Sequence, residues 1–310
     1  MRPNSILKLA MGCFLSVAAS FAAADAHSQA TPRQATPNGP GLAGVYGSLS
    51  PDQAEFLSSP DAIKSAAASG APTLVWETLE HGEKIECLDC IALVSPLLYD
   101  ANAKTREIAA WWLRRRIFGV FGEGEVYQQT IQTLQTNADP VTRSYAAYAL
   151  GEFFASPGID ACASALVTDG DARVRSAAAS ALGRLNDDGA GALGKALSDS
   201  DPTVRLAALA SAGRINAFSS ASALAALTSD TSADVRRRAI EVLDALDVAD
   251  AVAPVTAAAQ NDADPRVRAV ACHALGTFGN SSVLPVLAKL SQSDTDAFVR
   301  DQATIAMLRL

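Results

Sequence analysis

From about residue 85 onward, apolar and polar positions recur with a helical spacing that restarts every 30 to 37 residues. The register is set by Arg106, Arg143, Arg175, Arg205, Arg236, Arg268 and Arg300. Counting from each Arg, positions −1, +2, +3, +6 and +7 hold Val, Ala, Leu and Ile almost throughout. At 100° per residue these positions share one face of a helix. Four residues before each Arg stand Asn102, Asp139, Asp171, Asp201, Ser232, Asp264 and Asp296, all side chains that favour a helix N-cap. The next column alternates Ala with Pro140, Pro202 and Pro265, and Pro suits a first helical position. Gly151, Gly183, Gly213 and Gly276 at position +8 are expected to close their helices. A second apolar segment precedes each Arg helix, for example Ser282–Leu290 and Ala251–Ala259. The unit is therefore helix, turn, capped helix. No such unit can bury both faces alone, so the units must stack.

The predicted fold is all-α, a superhelical solenoid of about seven helix pairs over residues 85–310. A helical cap at 51–84 precedes it. Ser50-Pro51-Asp52-Gln53 and Ser59-Pro60 both read as helix starts within that cap.

Residues in this register, with the motif D-P-x-V-R-x-x-A-x-x-A-L-G nearly intact in repeats two, three and six, resemble HEAT repeats of the short Ala-rich, phycobilisome-lyase type. The resemblance implies a right-handed α-α superhelix with first helices on the convex side and Arg helices on the concave side. It also implies a structural ladder between neighbouring repeats, built from Asp139, Arg143, Asp171, Arg175, Asp201, Arg205, Arg236, Asp264, Arg268 and Arg300. Those residues are read as scaffold. Deoxyhypusine hydroxylases share this kind of fold and bind iron through His-Glu pairs, but no His-Glu dipeptide occurs here. The expectation is a binding protein with no catalytic residue, metal or cofactor.

Composition narrows the partners. The 310 residues are 49% hydrophobic with a net charge of −8. Arg2 and Lys8, the apolar run Leu9–Phe21 and small residues at Ala22, Ala24 and Ala26 read as a signal peptide over 1–26. A lipoprotein would need Cys13 as the acylated residue, and Leu9 stands one place too early for that. Cleavage removes two cations and one carboxylate, which leaves −9. An acidic chain is a poor ligand for nucleic acid or anionic lipid, and no segment after the signal is apolar enough to span a membrane. Residues 27–50, rich in Gln, Thr, Pro and Gly, read as a flexible linker. The protein is expected to be exported, to the periplasm or beyond.

Four cysteines follow the signal. Cys162 and Cys272 are too many repeats apart to meet and read as small core residues. Cys87 and Cys90 form Cys-Leu-Asp-Cys, which fits a local disulfide, a pair of free thiols, or a redox or metal site. Haem attachment would need His where Ile91 stands.

If the stripe is buried, positions +1, +4, +5 and +8 form the open face of each Arg helix. Repeat one places Glu107, Ala110, Trp111 and Arg114 there, and repeat two places Ser144, Ala147, Tyr148 and Gly151. Trp111 and Tyr148, with the run Arg114-Arg115-Arg116, have the composition of an interface hot spot for a protein or peptide. The competing expectation is that repeat one caps the stack, with its Trp residues packed on the N-terminal helices near Phe56 and Trp76.

Overall fold

The structure, a computed structural model, describes residues 59–116, 124–154, 158–185, 190–215 and 221–310. The signal peptide, the linker, the 50–53 helix start and Phe56 lie outside these residues. Two short helices come first, α1 (Pro60–Ser69) and α2 (Pro72–His81). Ser59 starts α1 as expected, its Oγ accepting from the Ala62 N–H at 3.2 Å.

Seven helix pairs follow. They are α3 (Leu88–Val94) with α4 (Ala103–Arg114), α5 (Glu125–Thr136) with α6 (Pro140–Phe153), α7 (Gly158–Thr168) with α8 (Ala172–Arg184), and α9 (Ala190–Ala196) with α10 (Pro202–Ala212). The last three are α11 (Ala221–Ala226) with α12 (Ala233–Ala245), α13 (Val252–Asn261) with α14 (Pro265–Thr277), and α15 (Leu284–Ser293) with α16 (Ala297–Met307). No strand occurs among the described residues.

Each Arg helix begins where the cap column places it. All seven column residues occupy the N-cap with extended backbone, and six accept a hydrogen bond from the first turn. Ser232 is the departure, since its side chain accepts no cap bond.

The Arg helices pack on one another in sequence from α4 to α16, more closely than the first helices do. That asymmetry puts the Arg helices on the inner side of the curve. It also corrects the predicted open face. Ala110, Ala147, Ala179, Leu209, Ile240 and Cys272 at +4 are all buried. The reason is that each of these helices packs between a helix of the repeat before and one of the repeat after, α2 serving as the earlier neighbour of α4, as well as against its own partner. The open ridge narrows to about +1 and +5.

The glycine column is corrected by the same packing. Gly151, Gly183 and Gly276 lie inside their helices, where they admit the next repeat rather than ending the helix. A Cβ at Gly151 would sit 2.8 Å from the Ala181 Cα, and one at Gly276 would sit 2.8 Å from the Ala306 Cα. Gly213 does stand at a C-cap, with right-handed φ of −68°. At the far end, α16 exposes Asp301 and Thr304 where inner repeats carry packed side chains, and Leu308 where four of them carry Gly.

Candidate functional site

Five arginines of the column make the predicted ladder, but with a different carboxylate. Arg300, in contrast, makes no ion pair among the described residues and donates to the Asp294 and Thr295 carbonyls. Arg143 grips Asp169 through Nε and Nη2 at 2.8 and 2.9 Å, and Arg175 grips Asp199 at 2.7 and 2.9 Å. Arg205, Arg236 and Arg268 pair in the same way with Asp230, Asp262 and Asp294. Each acceptor stands two residues before the next repeat's N-cap. Asp139, Asp171, Asp201 and Asp264, assigned to the ladder from the resemblance, instead cap their own helices. The reason is reach: a capping carboxylate is turned toward its own first-turn N–H groups. The Asp two places earlier faces the preceding Arg and also accepts the N–H of the capping residue, as Asp169 does from Asp171 at 2.9 Å.

The Arg side chain closes the junction from the other end, where Nη1 donates to carbonyls five or six residues upstream. Hydrogen bonds from Arg143, Arg175 and Arg268 hold Asp169, Asp199 and Asp294 below the usual carboxylate range. At Asp230 and Asp262 burial opposes ionisation, and the arginine still brings the pKa down. The missed signal was present in the sequence. Asp100, Asn137, Asp169, Asp199, Asp230, Asp262 and Asp294 each stand six residues before an Arg of the register.

Repeat one breaks the pattern. The residue that would receive Arg106 is Asn137, and Arg106 instead lies 3.8 Å from the Tyr145 ring centroid. The three consecutive arginines go three ways. Arg114 lies over the Phe154 ring at 5.0 Å. Arg115 pairs with Glu83, so it does not join the predicted hot spot; it follows the C-terminal end of α4, opposite the turn after α2. Arg116 is buried against Trp112, its guanidinium 3.6 Å from the ring centroid.

Trp111 and Tyr148 occupy the same ridge position on packed neighbours α4 and α6, and both are half-buried rather than open. Arg184 lies over Tyr148 at 5.5 Å and pairs with Glu152 at 2.5 Å. Burial, and then the nearby Glu152 charge, raise the Tyr148 hydroxyl to about 12. Trp112 is fully buried and donates Nε1–H to the Gly82 carbonyl at 3.0 Å, so repeat one does close against the N-terminal helices. Trp76 is half-buried at that end, with Lys104 at 5.3 Å from its ring.

Phe154 was not singled out in the sequence. It ends α6 in the left-handed conformation at φ 53°, is 52% exposed, and faces Arg114, which makes no ion pair among the described residues. A bulky residue at positive φ is costly, and such residues gather at functional positions. Nothing in a one-dimensional pattern marks a helix-ending Phe for that role. Trp111, Arg114, Phe154, Tyr148 and Arg184 thus form an aromatic and cationic stretch of the inner ridge across repeats one to three.

Cys87 and Cys90 form a disulfide at the start of α3, with Cα atoms 5.2 Å apart. Cys90 is fully buried and Cys87 nearly so. Cys162 and Cys272 are free, buried thiols pushed up to about 12 by burial. Among the described residues no group of three or more His, Cys, Asp or Glu is placed to hold a metal ion, and no helix is long and apolar enough to cross a membrane.

No curated protein matches the chain. Among solved structures, Escherichia coli YibA is similar, with a TM-score of 0.56 at 18% identity over 85% of this chain and 99% of that one. A structure of Kap95p with RanGDP gives 0.59 at 15% identity over 83% of this chain and 40% of that one. The complex of CpcE and CpcF of phycocyanin lyase from Nostoc gives 0.40 at 22% identity over 70% and 86%. At these identities the first two likenesses show the fold, an all-α repeat superhelix. The family of HEAT repeats matches residues 127–193, 159–231 and 220–308, which is more than half of the chain. With its capped inner helices and its arginine ladder, the chain belongs to the HEAT-repeat family.

Proposed function

We propose that this protein is an exported, non-catalytic scaffold that binds a protein or peptide on its inner ridge at repeats one to three. The observation that carries this reading is the pairing of Arg114 with the exposed, left-handed Phe154, beside Trp111 and Tyr148. Aromatic and Arg side chains on one rigid surface supply large contact area at low entropy cost, which is how binding hot spots are composed. From repeat two onward the helices beneath are pinned by the ladder, and in repeat one Trp112 and Arg116 anchor α4 to the turn after α2, so the surface is preorganised. The N-terminal signal pattern supports export, and the negative charge supports a protein partner over nucleic acid.

A thiol-exchange role for Cys87 and Cys90 has less support, since burial leaves neither sulfur open to an attacking thiolate. The test is affinity capture from the native cell envelope using wild type, a Trp111→Ala/Arg114→Ala/Phe154→Ser variant and an Ile305→Ser control. The reading expects one partner that the triple variant loses and the control retains. Identical capture by all three proteins would remove it.

A further inference from the structure

The inner helices of repeats five, six and seven meet at one imidazole. His273 stands near the end of α14, between Asp244 in the last turn of α12 and Arg309 just beyond the end of α16. Its Nε2 lies 3.7 Å from the Asp244 Oδ2 and 3.4 Å from the Arg309 Nη1. A single nitrogen thus faces a carboxylate of the preceding repeat and a guanidinium of the following one. The His273 side chain is 42% exposed, so protons reach it from solvent, whereas that of Asp244 is 20% exposed.

The two neighbours require opposite states of that nitrogen. A guanidinium has donors and no acceptor, so Arg309 is held only by a ring whose Nε2 offers its lone pair. An ionised carboxylate only accepts, so Asp244 is held only when Nε2 carries a proton. With both ring nitrogens protonated the imidazole is a cation, which repels Arg309 and attracts Asp244. The approach of Arg309 therefore marks the neutral ring, with its proton on Nδ1. In that state the Asp244 contact is too long for a hydrogen bond.

Asp244 is correspondingly under-satisfied, since its Oδ1 is buried with no hydrogen-bond partner. Burial pushes its carboxyl above the ordinary value, and His273, the Thr277 hydroxyl and Arg309 each oppose that rise. The other charges nearby are accounted for. Asp247, just past α12, adds negative charge at Asp244, while Glu241 on α12 is engaged by Arg237 and Arg238. The packed partner α13 carries no charged residue, and Asp301 stands toward the opposite end of α16.

We propose that His273 is a pH-operated latch. Neutral, it ties repeat six to repeat seven through Arg309; protonated, it releases Arg309 and ties repeat six to repeat five through Asp244. Histidine is the side chain that ordinarily changes charge between roughly pH 5 and 8. In a solenoid each repeat is held by its neighbours, so the exchange moves stability from one junction to the next without remaking the fold. The latch lies in repeats five to seven and does not depend on the binding ridge of repeats one to three.

Double-mutant cycles on the full-length protein test it, by urea unfolding of His273→Ala, Arg309→Met, Asp244→Asn and the two paired variants at about pH 8 and about pH 5.5. At the higher pH the His273–Arg309 coupling should favour folding by about threefold in the unfolding constant, with none between His273 and Asp244. At the lower pH the first coupling should vanish or reverse, and the second should appear at about the same size. Nitrogen chemical shifts of the wild-type ring give a second reading that needs no variant, and should place the proton of the neutral form on Nδ1. A neutral ring protonated on Nε2, couplings equal at the two pH values, or an Arg309 coupling that grows on acidification would each overturn the latch.

Discussion

Repeats two to six and repeat one are built on the same register yet solve the problem of stacking differently. In the former, every Arg crosses to a carboxylate of the next repeat, and Arg and Asp side chains are both largely shielded from water. In the latter, Arg106 stacks on Tyr145, Arg114 on Phe154 and Arg116 on Trp112, while a disulfide closes the turn beside them. The ladder satisfies its charges within the fold and leaves nothing over for a ligand. Repeat one leaves three arginines, Arg106, Arg114 and Arg116, on aromatic rings rather than in the carboxylate ladder, and an aromatic face can be shared with a partner. Where the repeat is most regular it is scaffold, and the binding surface is sought where the regularity fails.

That contrast can be broken by substitution. Arg205→Met leaves Asp230 partly buried without its partner, and should cost about 3 kcal/mol in urea unfolding. Arg106→Met removes a half-exposed stack and two carbonyl bonds, and should cost roughly 1 kcal/mol. Equal losses would mean that the two arginines do the same work. Gly276→Ala tests the close approach of the inner helices. Helix propensity alone would favour Ala by up to about 1 kcal/mol, but the Ala306 backbone stands in the way, and a net loss of about 1–3 kcal/mol is expected.

Breaking the Cys87–Cys90 link closes no long loop, so Cys87→Ser/Cys90→Ser should cost about 2 kcal/mol. Thiol titration of the native, unreduced protein should find no fast-reacting sulfur. The smallest effect separates two caps. Asp296→Ala loses two first-turn bonds and should cost about 1 kcal/mol, whereas Ser232→Ala, with no cap bond to lose, should change stability little.

The ladder also predicts a pH dependence. Asp169, Asp199, Asp230, Asp262 and Asp294 have folded pKa values below their unfolded value of about 4. Their contribution is therefore fully present above that unfolded pKa, and it is lost as pH falls through the depressed folded values. Urea midpoints followed from pH 6 down to pH 2 should stay level at first and then drop steeply below about pH 4. In Arg205→Met that drop should be shallower.

Most of the fold was legible because its determinants are local and repeated. Caps, Pro at the first helical position and the apolar stripe act within one helix, and seven copies expose the register. The misplaced features all depend on a neighbouring repeat. The burial of Ala147 and Ala179 at +4 comes from a second inner helix. The role of Gly151 comes from Ala181, thirty residues on, and the true ladder carboxylate faces an Arg from the repeat before it. Trp111, Arg114 and Tyr148 stood out in the sequence because they are aromatic or cationic at positions on the face opposite the apolar stripe. Arg115 was misread because sequence adjacency to Arg114 says nothing about which way a helix-ending side chain turns. Phe154 was invisible because its distinction is a backbone angle.

The most direct test of the central claim is a photo-crosslinking scan along the ridge, with benzoylphenylalanine placed in turn at Trp111, Tyr148, Ser180, Ala210, Glu241, His273 and Ile305 in cells expressing the full chain. The account predicts a discrete adduct of one partner from positions 111 and 148, fading by 210 and absent from 241 to 305. Adducts confined to the last three repeats, or spread evenly along all seven positions, would contradict it.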